Sequence, residues 1–294
     1  MAQGTQNAVS VLGIPFNNVS ATEALYAIEE MIALGGRHQV ATANVDFLAN
    51  AIEKPEVRRI LDDCSLILAD GMPVVWASKM LGNSLRERVT GVDLVPMLAD
   101  ASAKRGYRLY FVGATEPVMR RAIAKLKTEY PGVHIAGYSC PEIAPLEEMD
   151  HEAILRDIED AAPDILFVAL GHPKQERWIN MHRNRLRVPI AIGIGGSLDL
   201  LAGELRRAPR WMQRCSLEWL YRTMQEPFRL APRYLRDAMM LARHLPAEVL
   251  AARLAPATTV PALPHPSRRP PVSVSRIAFA PSVEREALAH VSGD

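Results

Sequence analysis

Four apolar residues, Leu66 to Ala69, run straight into Asp70, followed by Gly71 and, after Met72, Pro73. A carboxylate where a buried strand leaves the core has two uses. It caps the helix that follows, or it serves as a general base towards a ligand held at the strand end. Both fit LILADGMPVV taken alone. GHPKQERW, Gly171 to Trp178, is denser in donors. Gly171 permits close backbone approach, Pro173 suits the start of a helix whose N-terminus attracts anions, and Lys174 and Gln175 add side-chain donors. A capped, solvated helix start has the same composition, and His172 on its own reads as structural. In GIGIGGSLD, Gly193 and Gly195 take the first two places of a dinucleotide fingerprint, but Leu198 stands at the third. The fingerprint fails. A glycine turn at Gly195 and Gly196 whose N–H groups suit phosphate remains, beside the plainer reading of a tight strand–helix turn.

Other signatures are missing. The chain has no Walker A sequence, no G-x-S-x-G, no H-E-x-x-H and no D-x-D. Without D-x-D the usual chelator of a nucleotide-sugar diphosphate is gone, so no cofactor and no metal are expected. A leaving diphosphate would then be met by arginines or helix N-termini. Arginines are at hand: nine lie between Arg206 and Arg243, opposed only by Glu218, Glu226 and Asp237, a net +6. Trp211, Trp219, Tyr221, Phe228 and Tyr234 are interleaved with them. Arg210, Arg214, Arg222 and Arg229 would share about a third of the circumference of one continuous helix, with Met212, Cys215, Trp219 and Met224 marking another face. This is either a solvated face over a packing stripe or a surface for anionic lipid or a lipid-linked phosphate. The absence of lysine from the segment favours bidentate phosphate contacts and makes nucleic acid the lesser reading.

Positioning these residues falls to an alternation that starts at residue 20. Ser20 and Glu23 form a capping box before a helix stopped by Gly35-Gly36. Apolar strands are expected at HQVATAN, SLILAD, YRLYFVGA, VHIAGYS, DILFVALG and VPIAIGIGG, with helices between them, including a long one from Leu146 to Asp160. Near-continuous apolar strands alternating with helices predict a doubly wound α/β fold, a mostly parallel sheet with helices on both faces. In such sheets ligands sit beyond the carboxyl ends of the strands. The polar strand ends (Thr42 and Asn44, Asp70, Gly113, Gly171, Gly195 and Gly196) then share one rim. The α/β core is read as residues 1–203. A helical, Arg/Trp-rich membrane-binding appendage, interrupted at Pro227 and Pro232, is read over 204–245, and a Pro-rich disordered tail over 246–294.

The totals agree. The 294 residues are 49% hydrophobic with a formal charge of +1, enough for one large core and no global attraction to nucleic acid. Three scattered cysteines, Cys64, Cys140 and Cys215, fit neither a disulfide framework nor a zinc site. No basic, apolar leader opens the sequence and no run is long enough to span a bilayer, so a cytoplasmic, at most peripheral, location is expected.

TANVDF, ADGMPVVW, RVTGVDL, FVGA, GHPKQERW, GIGGSLDLLAGELRRAPRWMQ and LEWLYRTMQEPFRLAPRYL occur in this order. Through them the chain resembles the WecG/TagA/CpsF family of bacterial glycosyltransferases, from about Val11 to Met240. The resemblance implies inverting transfer of a sugar from a UDP-sugar donor to an undecaprenyl-diphosphate-linked acceptor, in building cell-surface polysaccharide or teichoic acid, by a protein peripheral on the inner face of the cell membrane. It implies Asp70 as general base, Thr42 and Asn44 lining the pocket, and Arg88 and Gln175 as further site residues. It places Arg222, Arg229 and Arg233 in a membrane-binding appendage that closes over the site and contacts diphosphate, and it allows self-association. Two other classes stay open: a nucleotide-dependent Rossmann-type enzyme, which the missing fingerprint disfavours, and a non-catalytic UDP-sugar-binding membrane scaffold.

Overall fold

The computed structural model describes residues 8–209, 211, 212, 215 and 217–254. Strands β1 (Ala8–Val11) and β2 (Ile14–Asn17) form a hairpin ahead of α1 (Ala21–Leu34). Then follow β3 (His38–Ala43), α2 (Val45–Glu53), α3 (Pro55–Asp62), β4 (Leu66–Ala69), α4 (Met72–Met80) and α5 (Gly91–Arg105). The next stretch holds β5 (Arg108–Gly113), α6 (Glu116–Glu129), β6 (His134–Ser139), α7 (His151–Ala161), β7 (Ile165–Ala169), α8 (Lys174–His182), β8 (Ile190–Gly193) and α9 (Ser197–Leu201). Two more helices, α10 (Glu218–Gln225) and α11 (Pro227–Leu254), end the described chain.

The six strands β3 to β8 form one sheet in the order β4-β3-β8-β7-β5-β6, every neighbouring pair parallel. This is the expected doubly wound α/β architecture. Strand periodicity sends alternate residues to opposite faces. Leu66, Leu68, Leu109, Phe111, Ile165, Phe167, Ile190 and Ile192 pack beneath α1, α5, α6 and α9. On the other face Tyr110, Val112, Leu166, Val168 and Ala191 pack under α7 and α8, while Ile67 and Ala69 join α2, α3 and the hairpin. All strands point their carboxyl ends to one rim, as parallel pairing requires.

Several expectations are corrected. An alternation starting at residue 20 misses the hairpin, although Val9, Val11, Ile14 and Phe16 are buried on one face of it, flanking a Leu12-Gly13 turn with φ of 50° and 74°. The expected long helix from Leu146 is a 3₁₀ turn at Leu146–Glu148 and then α7, which Asp150 caps by accepting from Ala153 N–H. Pro227 does open a new helix, but Pro232 does not interrupt it, and α11 runs past residue 245 to Leu254. Its second half is also part of the core. Met240 and Leu245 are buried against α2 and the hairpin, and Glu248 accepts from Leu12 N–H at 2.9 Å. The break before Pro227 puts Arg222 and Arg229 on different helices, so no single four-arginine stripe exists there. Arg210, Arg214 and the tail from residue 255 lie outside the described residues.

Candidate active site

Asp70 follows the edge strand β4, and its N–H donates to Ala43 O at 2.9 Å. Gly71, at φ 118°, is the residue that turns the chain into α4, whose start carries no side-chain cap. Few side chains tolerate that φ, which explains glycine here. The carboxyl of Asp70 is therefore not a helix cap. Burial pushes it up to about 6; Arg88 and Arg222 pull it down, and Asp93 and Glu218 push it further up. A carboxylate with that value is ionised at neutral pH and is a stronger proton acceptor than an ordinary aspartate.

The charges around it come from two stretches far apart in the sequence, residues 88–93 and 207–222. Arg88 Nη1 donates to Glu218 Oε2 at 2.6 Å and its Nη2 lies 3.7 Å from Asp93. Arg207 closes the ring, 2.6 Å from Asp93 and 3.5 Å from Glu218. Two arginines and two acids thus pin the start of α10 to the start of α5, and Arg88 enters the site as a member of this network. Arg222, one turn beyond Glu218, lies over the glycine turn after β8: a Cβ on Gly196 would come 3.4 Å from Arg222 Nη2 and 3.3 Å from Asp199 Oδ2. Burial and Glu226 raise the Asp199 carboxyl, while Arg222 and Arg229 lower it. Arg233 lies 5.3 Å from the ring centroid of Tyr234, which packs edge-on against Trp219 at 5.8 Å. Burial raises the Tyr234 hydroxyl; Arg233 and Arg222 lower it, and Asp70 raises it further. Among the described residues, Arg222 and Arg233 make no ion pair, and their Nε atoms are buried without a hydrogen-bond partner. Arg229 differs. It pairs with Glu226, Nε to Oε1 at 2.8 Å, and more than half of its side chain faces solvent.

The remaining predicted residues line the rim between Asp70 and the far strands. Thr42 is buried and its Oγ1 donates to Gly193 O at 3.2 Å, tying β3 to β8. Asn44 caps α2 by accepting from Phe47 N–H at 3.2 Å. Gln175 is buried at the start of α8, where its Oε1 accepts from Gly195 N–H at 3.0 Å and its Nε2 donates to Glu176 Oε1 at 2.5 Å. Glycine at 193 is what lets these side chains lie flat on β8: a Cβ there would stand 2.5 Å from Glu176 Oε1 and 2.6 Å from Gln175 Nε2. Thr42 and Gln175 thus shape the floor, while Asp70, Arg222, Arg233 and Tyr234 bring reactive or charged groups to one place.

Asp93, Glu218, Arg207, Glu176 and Tyr234 are not among the site residues expected from the sequence, where Glu218 and Tyr234 stand out only as members of the arginine-rich segment. Their motifs were visible. Their roles depend on pairings such as Arg88 with Glu218, 130 positions apart, for which local spacing carries no signal.

The chain matches the Glycosyl transferase WecG/TagA/CpsF family over residues 9–255. It is 36% identical over 190 residues to an N-acetylglucosaminyldiphosphoundecaprenol N-acetyl-beta-D-mannosaminyltransferase of Bacillus spizizenii, covering 65% of this chain and 72% of that protein. The enzyme of the same name from Bacillus subtilis is 35% identical over the same length and coverage. That of Staphylococcus aureus (strain MW2) is 29% identical over 223 residues, 74% of this chain and 85% of the relative.

Proposed function

From the premise that the chain belongs to the WecG/TagA/CpsF family of glycosyl transferases, we propose that it moves a sugar from a UDP-sugar, with inversion, to a sugar carried on a polyprenyl diphosphate. The observation that carries this reading is Asp70, a carboxylate raised to about 6 at the strand-end rim and shared there with Arg222 and Tyr234. Inversion needs one direct displacement. Asp70 takes the proton of the acceptor hydroxyl as that oxygen attacks the anomeric carbon, and the bond to the UDP oxygen breaks with its electron pair. The half-buried guanidinium groups of Arg222 and Arg233, which make no ion pair among the described residues, stabilise the departing diphosphate without a chelated metal. The names of the Bacillus and Staphylococcus relatives support N-acetylmannosamine as the sugar and N-acetylglucosaminyldiphosphoundecaprenol as the acceptor.

A lipid-linked acceptor brings the chain to a bilayer, and we place it peripherally on the inner face. No helix among the described residues is long and apolar enough to cross a membrane. On α11, Phe228, Leu235 and Met239 are exposed at spacings of seven and four, hence on one helix face. With Trp211 and the arginines they suit an anionic lipid surface. The decisive assay is UDP release and lipid-linked product from UDP-N-acetylmannosamine with the polyprenyl acceptor, for the wild type and Asp70→Asn. Turnover should drop about a hundredfold or more in the variant with donor binding retained. Near-normal turnover removes Asp70 from the role, and no turnover by the wild type with any UDP-sugar overturns the transferase reading.

A further inference from the structure

Helices α10 and α11 meet through an aromatic pair. Trp219 on α10 packs edge-on against Tyr234 on α11, with ring centroids 5.8 Å apart. Arg222 lies about one turn beyond Trp219, over the glycine turn after β8, where a Cβ on Gly196 would come 3.4 Å from its Nη2. Arg233 precedes Tyr234, with its guanidinium carbon 5.3 Å from the tyrosine ring centroid. The Nε atoms of both arginines are sealed in. Their Nη atoms and the Tyr234 hydroxyl are not: these belong to half-buried residues, keep accessible surface and make no hydrogen bond among the described residues. Burial raises the hydroxyl above the ordinary tyrosine range; Arg233 and Arg222 lower it, and Asp70 and Asp237 raise it further. It is therefore protonated at neutral pH and can donate to an oxygen. Neither Asp70 nor Asp237 accepts that hydrogen, so it is left for a ligand. Three side chains thus bring accessible donors, two of them cationic, beside the carboxylate that receives the acceptor's proton. Donors gathered in this way suit an oxygen on which negative charge develops.

We propose that the Tyr234 hydroxyl donates a hydrogen bond to the β-phosphate of the departing UDP, as the neutral third member of a donor set with Arg222 and Arg233. The inference rests on the transferase reading and gives that site a further catalytic residue. In the displacement the bond between the anomeric carbon and the β-phosphate oxygen breaks with its electron pair, while Asp70 takes the proton of the attacking hydroxyl. Negative charge gathers on the departing diphosphate, and the phenol stabilises it without giving up its proton, since a phosphate oxygen is far less basic than a phenolate. Tyr234→Phe removes one oxygen and keeps the ring on Trp219 and beside Arg233. The variant therefore separates the hydroxyl from the packing of the two helices.

The measurements are the Kd of UDP and of UMP, and kcat and KM with UDP-N-acetylmannosamine and the polyprenyl acceptor, each for the full chain. We expect Tyr234→Phe to raise the UDP Kd about tenfold and to leave the UMP Kd unchanged, because UMP has no β-phosphate. With both substrates, kcat should fall about ten- to a hundredfold while acceptor KM holds. The acid limb that Asp70 sets near pH 6 should not move, and neither should the unfolding midpoint. An unchanged UDP Kd, equal shifts for UDP and UMP, or a loss confined to acceptor KM or to the unfolding midpoint overturns the role of the hydroxyl while the transferase reading stands. A wild-type chain that binds UDP but turns over no UDP-sugar overturns the transferase reading and leaves the contact to the UDP and UMP constants. A wild-type chain that binds no UDP overturns both.

Discussion

The position of Asp70 sets a conflict between stability and chemistry. Its carboxyl is raised from 3.8 to about 6 mainly by burial, so the folded state holds the proton more tightly than the unfolded one. The charged form costs nothing below about pH 4, and its full cost of about 2–3 kcal/mol is reached above pH 6. Asp70→Asn should therefore raise the urea midpoint at pH 8 and leave it unchanged near pH 4, while abolishing most turnover. In the wild type, kcat/KM should fall with an acid limb near pH 6 as the base is protonated, and a limb near 4 would mean a solvated carboxylate. Gly193 is a second sensitive point. Gly193→Ala drives a methyl into Gln175 and Glu176, and should cost about 1–3 kcal/mol by denaturant unfolding, with a rise in KM as the floor of the site shifts. The part of the site that was legible at this scale is the part written in single strand ends. Asp70, Asn44 and the glycine turn could be placed because each follows an apolar run. Thr42 could be placed too, but that its hydroxyl is taken by Gly193 O depends on β3 lying beside β8, which no local pattern encodes.

At the scale of elements, the strands were readable because parallel strands buried on both faces are short, near-continuous apolar runs, as in LILA, ILFVA and IAIG. The hairpin was less so: its two strands of four residues alternate over too short a window to outweigh the turn between them. Helix α11 is longer than expected because Pro232 reads as an interruption, whereas α11 carries both Pro232 and Pro246 within one helix. Its docking is held by charge as well as by Met240 and Leu245. Arg236 bridges Asp46 on α2 and Asp237 on α11, both nearly inaccessible. Arg236→Met should cost about 2–3 kcal/mol, because two buried carboxylates lose their counter-charge. Adding Asp46→Asn and Asp237→Asn should recover most of that loss. If the triple variant is no more stable than the single one, packing rather than charge holds the helix.

Across the whole molecule, the appendage is continuous with the core: its first turn is pinned through Arg88, Asp93, Arg207 and Glu218, and its last turns complete the core beside the hairpin. Membrane contact is thus expected from its outer surface alone. Phe228→Ser, Leu235→Ser and Met239→Ser together should abolish co-sedimentation with anionic vesicles and leave the unfolding midpoint unmoved. Wild-type binding should weaken as salt rises through 0.1–0.5 M, on the order of the range over which screening becomes complete. Retained vesicle binding by the triple variant would locate the contact elsewhere. The strand order carries one more implication, for synthesis. The central strand β8 is the last of the sheet to leave the ribosome, yet it alone joins the β4-β3 pair to the β7-β5-β6 triplet. Until residue 193 emerges, the nascent chain consists of two half-sheets with open inner edges, the surfaces most prone to pair with other chains. Chaperones that bind nascent chains therefore meet this protein at its most vulnerable just before β8 closes the gap, and the catalytic rim, which spans both halves, comes into existence only then.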